Sequence, residues 1–246
     1  MATPDLATKV IAGVTVVDTP IVRAAQGYAR AHGDDFAFNH VMRSWILGVV
    51  VYQKLHEQGV LPQMDLEAHA ISAVFHDLGW DCTGELVSQD KRFEVDGAEA
   101  ARNWIQEEQR SGRAEHWDHH RTQLVWDAIA LHTTGTIALY KETVVKVCAF
   151  GIRADIRGPN FDKGGTVSWD VFNAVNEMFP RLDLADGIRR VICGFCRTKP
   201  ETIYGQYIPF LVLLVYNFQV DYGREFVEGY KPEGSRLLDI VEKTFK

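Results

Sequence analysis

Helical periodicity is the feature of this sequence that most restricts its fold. Apolar residues spaced three and four positions apart recur along nearly the whole chain, as expected for helices that bury one face. Strictly alternating runs, which would indicate strands, are too few to build a large sheet. The pattern predicts ten helices, over about residues 21–31, 36–58, 65–79, 94–110, 121–133, 142–156, 168–179, 184–197, 206–219 and 233–245. We therefore expect an all-α fold, a bundle of helices.

Residues that favour helix ends agree with these boundaries. Side-chain oxygens that can accept hydrogen bonds from the free N–H groups of a first turn stand near three predicted N-termini, namely Asp65, Thr122 and Ser168. Glycines, which often end helices, stand at four predicted C-termini: Gly33, Gly59, Gly79 and Gly158. Residues 1–20 show no helical period, and we interpret them as an extended N-terminal arm. We expect residues 21–246 to form one domain that includes the C-terminal helices.

The charge of the chain argues against nucleic acid as a partner. The sequence has 26 Lys and Arg against 33 Asp and Glu, a formal net charge of −7, and no run of basic residues. Binding to a phosphate backbone needs a basic patch or stripe. We expect a small-molecule substrate instead.

Three further features bear on location and cysteine chemistry. The first residues lack the basic start and apolar core of a secretory signal, so we expect a cytoplasmic protein. The most apolar stretch, Tyr207–Phe218, is shorter than the ~20 residues of a membrane helix, and we interpret it as a buried helix. Cys193 and Cys196 form an isolated CxxC pair. A zinc ribbon needs a second pair, so we interpret these two residues as core thiols on one helix.

Three apolar helical segments each carry side chains that can bind a metal ion. They contain His40, the dipeptide His76-Asp77 and Asp155. A lone buried histidine is usually a hydrogen-bonded core residue. His76-Asp77, however, closes an apolar run, where an ionised carboxylate is costly unless it is paired or bound to a metal. Two imidazoles and two carboxylates suit zinc, iron or manganese.

These residues resemble the signature of the HD-domain superfamily, which is His, then His-Asp, then a distant Asp, each on a different helix. The surrounding sequence is similar to the cyanamide-hydratase-like branch, over about residues 36–200. The similar segments are Asn39-His40-x-x-Arg43, Phe75-His76-Asp77-Leu78-Gly79, Phe93-Glu94-x-x-Gly97, Ile129-Ala130-Leu131-His132 and Asn173–Arg181. The resemblance implies an HD-type helical bundle with a divalent metal held by His40, His76, Asp77 and Asp155.

One departure from the superfamily bears on the number of metal ions. Dinuclear HD proteins carry another histidine four residues before a Gly-Ala, where this chain has Phe93 before Gly97-Ala98. Phenylalanine cannot bind a metal. We therefore expect one ion, zinc first with iron and manganese as alternatives. His132 then either faces the open coordination position or is an ordinary hydrogen-bonded helix histidine.

The expected chemistry is the addition of a metal-bound hydroxide to a small polar substrate of the cyanamide or nitrile type. Glu94 and His132 are the candidates for proton transfer, although Glu94 also fits an exposed carboxylate in the first turn of a helix. Arg43, one turn beyond His40, either holds an anionic substrate or fixes a ligand carboxylate by a bidentate bond. The sequence thus predicts a metal-dependent hydro-lyase or hydrolase.

Two other functions stay open at this point. The first is a phosphohydrolase acting on a nucleotide or small phosphomonoester, which Lys91, Arg92 and Arg153 keep possible. The second is a ligand-binding HD protein without turnover. An intact set of four ligands argues against the second, since a scaffold has no need of buried charges.

Overall fold

Helices dominate the structure. This computed structural model describes residues 6–199, 202 and 227–228. Within them the chain forms nine α-helices and one two-stranded sheet, so the predicted all-α fold is confirmed. The helices are α1 (Pro20–His32), α2 (Asp35–Glu57), α3 (Leu66–Phe75), α4 (Phe93–Arg110), α5 (His119–Ala130), α6 (Gly135–Ala138), α7 (Thr143–Arg157), α8 (Trp169–Met178) and α9 (Leu184–Thr198). The helices predicted over about 206–219, including Tyr207–Phe218, and over 233–245 lie outside the described residues.

The chain divides into two compact units. The first contains the residues up to Val87 and those from Phe93 to Leu184, and the second contains Ser88–Arg92 and the chain from Ala185 onward. Every predicted ligand and every candidate for proton transfer belongs to the first unit. In the second unit, Cys193 and Cys196 are buried on α9, as predicted. Within the described residues, no helix is long and apolar enough to cross a membrane.

The N-terminal segment is extended, but it is paired. Strands β1 (Thr8–Ile11) and β2 (Val14–Val17) form an antiparallel hairpin in which Ile11 faces Val14. Ala12 and Gly13 both have left-handed backbone angles, with φ of 49° and 79°, as a two-residue hairpin turn requires. The sequence gives little sign of this turn because alanine rarely adopts that conformation.

Helix caps set several of the boundaries. The side chains of Asp65 and Ser168 accept hydrogen bonds from the first turns of α3 and α8, as predicted. Helix α5 begins at His119, two residues before the predicted start at about 121, because Asp118 rather than Thr122 caps it by accepting a hydrogen bond from the backbone N–H of Arg121 at 2.8 Å.

Two glycines bring helices α2 and α7 into close contact. A Cβ atom on Gly151 would lie 2.2 Å from the carbonyl oxygen of Ser44 and 3.0 Å from the Cα of Gly48. No larger residue fits at this crossing without moving a helix. Ser44 and Gly48 lie about one and just over two turns after His40 on α2, and Gly151 lies about one turn before Asp155 on α7. The crossing therefore helps to fix the spacing of His40 and Asp155.

Helix α3 ends four residues earlier than predicted, at Phe75. His76 follows as the cap, and Leu78–Trp80 form a short 3-10 helix. The His76 ring bonds to the carbonyl oxygen of Ala73, one of the free acceptors at a helix end. A Cβ atom on Gly79 would lie 2.0 Å from the carbonyl oxygen of Phe93. This close approach holds the His76-Asp77 turn against the start of α4.

Candidate metal centre

Three of the four predicted ligands converge at one buried point. His40 from α2 meets His76 and Asp77 from the end of α3, and each offers a ligand atom within 4.8 Å of the others. The Nε2 atoms of His40 and His76 are 3.2 Å apart. The Oδ2 atom of Asp77 lies 3.1 Å from Nε2 of His76 and 3.5 Å from Nε2 of His40. This buried His-His-Asp group could hold a metal ion.

Hydrogen bonds on the outer side of the two imidazoles determine which nitrogen carries the proton. Nδ1 of His76 lies 2.8 Å from the carbonyl oxygen of Ala73, and Nδ1 of His40 lies 2.6 Å from Oδ2 of Asp155. A carbonyl or carboxylate oxygen can only accept, so each Nδ1 is the donor. In the neutral rings, each Nε2 therefore presents a lone pair to the centre, as a metal ligand must.

The surroundings of the Asp77 carboxylate indicate whether a cation fits at this centre. Its side chain is 3% exposed, and neither oxygen accepts a hydrogen bond. A buried carboxylate that faces imidazole lone pairs is strongly unfavourable unless a positive charge lies between them. One nitrogen-rich set of donors with a free carboxylate fits a divalent metal ion.

The pKa shifts of His76 and Asp77 also indicate that a positive charge is favourable at this centre. Burial alone would lower the pKa of His76, but the carboxylate of Asp77 raises it above its ordinary value. Burial alone would raise the pKa of Asp77, but the positive charge that the neighbouring histidines can carry, His76 first and then His40 and His132, holds it below its ordinary value. A proton on His76 can therefore take the place of a metal ion.

Asp155, the fourth predicted ligand, is not part of the converging group. It lies behind His40, where its Oδ2 atom accepts the hydrogen bond from Nδ1. Arg43 binds both of its oxygens, with Nε 2.7 Å from Oδ1 and Nη2 3.0 Å from Oδ2. Burial opposes charge on Asp155, but the hydrogen bonds from His40 and Arg43 outweigh it and hold the pKa of this carboxyl well below its ordinary value. Its role as a ligand stays a prediction.

Arg43 occupies the second of its two predicted positions, fixing a carboxylate by a bidentate bond. The side chain is fully buried. Its third nitrogen, Nη1, donates to the carbonyl oxygens of Phe179 and Pro180 at 2.9 and 3.2 Å. Because all three nitrogens donate to protein oxygens, Arg43 is poorly suited to binding an anionic substrate.

Residues 179–181, which follow α8, complete the hydrogen bonds around Arg43 and Asp155. The sequence analysis did not identify this role. The side-chain amide of Asn39 donates to the carbonyl oxygen of Pro180 at 2.9 Å. Arg181 donates to Oδ1 of Asp155 at 3.0 Å and also to the backbone oxygen of Asp155. Asn39 and Arg181 both belong to sequence segments that resemble the HD family, and this resemblance could have indicated their role.

His132 lies on the other side of Asp77. Its Nε2 atom is 3.5 Å from Oδ1 of Asp77, and its Nδ1 atom is 2.6 Å from the carbonyl oxygen of Ile129. The ring packs against His76 and Phe93, with centroid distances of 5.0 and 5.6 Å. Burial, followed by the charge of His76, lowers the pKa of His132 to about 4, so this imidazole is neutral at physiological pH.

Glu94 is buried, with 1% of its surface exposed. The interpretation as an exposed first-turn carboxylate is therefore wrong, because the start of α4 packs against the His76-Asp77 turn. The hydroxyl of Thr133 donates to Oε1 of Glu94 at 2.5 Å. Glu94 and Thr133 thus flank His132, which follows helix α5 and precedes Thr133 in the chain. Sequence reasoning missed Thr133, since nothing local links it to a residue 39 positions away.

An aromatic ring covers one face of the His40 imidazole, and further aromatic rings pack around it. The ring of Trp80 stacks on His40 with a centroid distance of 6.2 Å and an angle of 16°. Phe93 lies 5.9 Å from Trp80, and Phe36 lies 6.4 Å from it on another side. Trp80 thus helps to fix the orientation of the His40 imidazole, and the three rings keep the local dielectric constant low.

The comparisons with known proteins identify no relative. No model of a known protein family matches the sequence, and no curated protein matches it either. The geometry of the centre therefore carries the functional argument.

Proposed function

We propose that this chain is an HD-type, metal-dependent hydratase or hydrolase that acts on a small polar substrate of the cyanamide or nitrile type. The observation that carries the proposal is the buried carboxylate of Asp77, which accepts no hydrogen bond and faces the Nε2 atoms of His40 and His76. The resemblance to the HD-domain superfamily, and within it to the cyanamide-hydratase-like branch, supports the same reading.

His40, His76 and Asp77 are the residues that would hold a single divalent ion, with zinc, iron and manganese all compatible with these donors. Such an ion lowers the pKa of a coordinated water from the bulk value toward ~7, which supplies a nucleophile at neutral pH. Asp155 keeps the Nδ1 proton of His40 in place, and Arg43 holds Asp155. The ligand imidazoles are therefore fixed before the substrate arrives.

Glu94 is the group that we assign to proton transfer. Addition of water to a polarised C≡N carbon requires that one proton leave the water and that one reach the substrate nitrogen. The hydroxyl of Thr133 donates to one oxygen of Glu94, which orients the carboxyl group. The buried position of this carboxyl beside His132 suits the role, because a low dielectric strengthens its interaction with a developing charge.

The cation environment favours a substrate without a phosphate group. Arg43 lies close to the centre, but its nitrogens are already bound to protein oxygens. Arg181 shares the same carboxylate, Asp155. A phosphomonoester would need guanidinium or ammonium groups that converge on the substrate. We therefore rank the phosphohydrolase second.

The test is metal analysis and turnover on protein purified without a chelating tag. We expect about one equivalent of metal per chain and a higher kcat/KM for cyanamide or simple nitriles than for any nucleotide or phosphomonoester. Asp77→Asn should lose both metal and activity. Asp127→Asn is the matched control, since Asp127 pairs with Lys141 at 2.8 Å in a half-buried position on α5, and it should retain both.

Each competing function gives a different result in this test. Phosphate release that exceeds hydration and disappears in Asp77→Asn would establish the phosphohydrolase. Stoichiometric metal without turnover of any substrate would indicate the ligand-binding HD protein. Two equivalents of metal per chain would contradict the mononuclear centre.

A further inference from the structure

A pocket of about 260 Å³, counted with its open side, lies between α1, α2 and the end of α3. Seven of the nine described residues that line it are apolar or glycine, and the other two are His32 and Asp77. Because Asp77 belongs to the candidate metal centre, the pocket adjoins that centre. Gly33 and Phe38 are half-buried members of the wall, which places them on its solvent side. This size and this lining suit a small, largely apolar molecule.

His32 is the last residue of α1, and a buried aspartate fixes its ring. Nδ1 of His32 lies 3.0 Å from Oδ1 of Asp81, whose side chain is fully buried. A carboxylate oxygen can only accept, so Nδ1 is the donor and Nε2 carries the lone pair of the neutral ring. The ring of Tyr28 packs against His32 with a centroid distance of 4.5 Å. Among the described residues, Nε2 of His32 has no hydrogen-bond partner.

The carboxylate of Asp81 is held in place independently of His32. It accepts from the backbone N–H groups of Leu86 at 2.8 Å and Thr83 at 3.0 Å, and the hydroxyl of Thr83 lies 2.9 Å from both of its oxygens. Burial opposes charge on Asp81, but these hydrogen bonds, together with that of His32, hold its pKa below its ordinary value. His32 is thus not needed to compensate an isolated carboxylate. Instead, the fixed carboxylate orients the imidazole and leaves Nε2 available to a ligand.

We propose that this pocket binds the substrate and that His32 is a specificity-determining residue, whose Nε2 accepts a hydrogen bond from an N–H or O–H group of the substrate. The inference deepens the proposed function and rests on it, since it names a group that the substrate carries. Asp77 apart, His32 provides the only polar side chain among the described lining residues. A substrate without a donor leaves Nε2 unpaired in an apolar pocket, which is unfavourable.

Two pairs of matched nitriles isolate this hydrogen bond. Cyanamide carries an amino group where acetonitrile has a methyl group, and glycolonitrile carries a hydroxyl group where propionitrile has a methyl group. The first member of each pair can donate to Nε2 of His32, and the second cannot. The members also differ in intrinsic reactivity. The quantity to measure is therefore the change in their kcat/KM ratio between the wild type and a variant.

His32→Leu in the metal-loaded full chain should lower the preference for the donor about 3–10-fold in both pairs. The loss should lie in KM, with kcat largely unchanged, because the hydrogen bond holds the substrate equally in the ground state and the transition state. Structural damage alone would slow both members of a pair alike and leave the ratio unchanged.

His56→Leu is the matched control. His56 also packs against a tyrosine four residues earlier, Tyr52, with a centroid distance of 5.2 Å. Its Nδ1 atom bonds to the carbonyl oxygen of Leu61 at 2.8 Å, and it does not line the pocket. This variant should keep the wild-type ratio in both pairs.

Binding to the metal-free wild type supplies a second readout that needs no turnover. The proposed hydrogen bond does not involve the metal, so it should form in the metal-free protein. In protein labelled with ¹⁵N-histidine, cyanamide should shift the Nε2 signal of His32 in NMR spectra, and acetonitrile should not. An unchanged ratio in either pair for His32→Leu would overturn the inference. If that variant does not fold, the titration decides, and equal shifts with the two probes, or none, would overturn it.

The outcomes separate this inference from the proposed function. A wild-type protein that hydrates none of the four nitriles would contradict the proposed reaction. A shift of the His32 signal with cyanamide alone would then still establish the pocket and its hydrogen bond. Hydration of cyanamide with an unchanged ratio in His32→Leu would retain the proposed function and remove the role of His32.

Discussion

Replacement of Arg43 by methionine should destabilise the protein more than any surface ion-pair mutation. Arg43 and Asp155 are both fully buried, and two hydrogen bonds of 2.7 and 3.0 Å join them. Methionine fills part of the same space but leaves Asp155 with only His40 and Arg181 as donors. Removal of one partner from a buried ion pair costs ~3–5 kcal/mol, because the remaining charge is uncompensated.

The magnitude is best placed near the middle of that range. His40 and Arg181 still donate to Asp155, which reduces the cost. Loss of Nη1 leaves the carbonyl oxygens of Phe179 and Pro180 without this donor, which increases it. We expect ~4 kcal/mol, which corresponds to a fall in Tm of ~8–16 °C for a protein of this size at ~2–4 °C per kcal/mol. Urea and thermal unfolding of the metal-free protein measure it without a contribution from metal binding.

Two further variants decide whether the buried pair is the cause. Arg110→Met removes an exposed ion pair with Glu107, and it should cost less than ~1 kcal/mol. Arg43→Met combined with Asp155→Asn should cost less than the sum of the single changes, because neither charge is left unpaired. A cost below ~1 kcal/mol for Arg43→Met, or strict additivity in the double variant, would refute this reasoning.

Three other predictions follow from the same structure. Gly151→Ala should lower the free energy of unfolding in urea by ~3 kcal/mol or more, because its Cβ would lie 2.2 Å from a backbone oxygen. Gly27→Ala in α1 should raise it by ~0.5–1 kcal/mol, because no atom lies within 4 Å of that Cβ. Metal affinity should be constant at high pH and fall about tenfold per pH unit once the pH drops below the raised pKa of His76, because one proton then competes with the ion; a pH-independent affinity in chelator competition would contradict this. Cys196→Ala should leave the metal content in elemental analysis unchanged at a cost of ~1 kcal/mol, and loss of metal would show that the ligand assignment is wrong.

The sequence predicts the helices well because their apolar period records which face is buried. It fails at the end of α3, where the pattern continues to Gly79 but the helix stops at Phe75. The cause is tertiary. The ring of His76 bonds to the carbonyl oxygen of Ala73, and the backbone of Phe93 packs against Gly79. Neither contact leaves a periodic signal in the sequence.

Part of the candidate site could be predicted because a buried charge must be compensated by an opposite charge. A carboxylate in an apolar helical run indicates that a cation lies nearby, and this reasoning identified Asp77, whereas Asp155 was assigned through the family resemblance. It could not tell which cation each one meets. Asp155 meets Arg43, which lies on another helix and 112 positions away in the chain. The burial of Glu94 could not be predicted either, since a carboxylate in the first turn of a helix can be solvent-exposed or buried.

The charge balance of the groups around the His40-His76-Asp77 centre predicts that a metal ion and protons would compete there. Asp155 is matched by the guanidinium groups of Arg43 and Arg181, which together exceed its charge by one. Asp77 and Glu94 add two negative charges, and the histidines are neutral when each Nδ1 holds the only ring proton. Without a cation, these groups carry a net negative charge in a region of low dielectric, which is costly. By this count a single proton on His76 would balance the net charge, and a divalent ion would exceed it by one. Binding of a metal ion would therefore release the proton from His76. The metal affinity of the centre would then depend on pH, because Asp77 both attracts the ion and raises the pKa of His76.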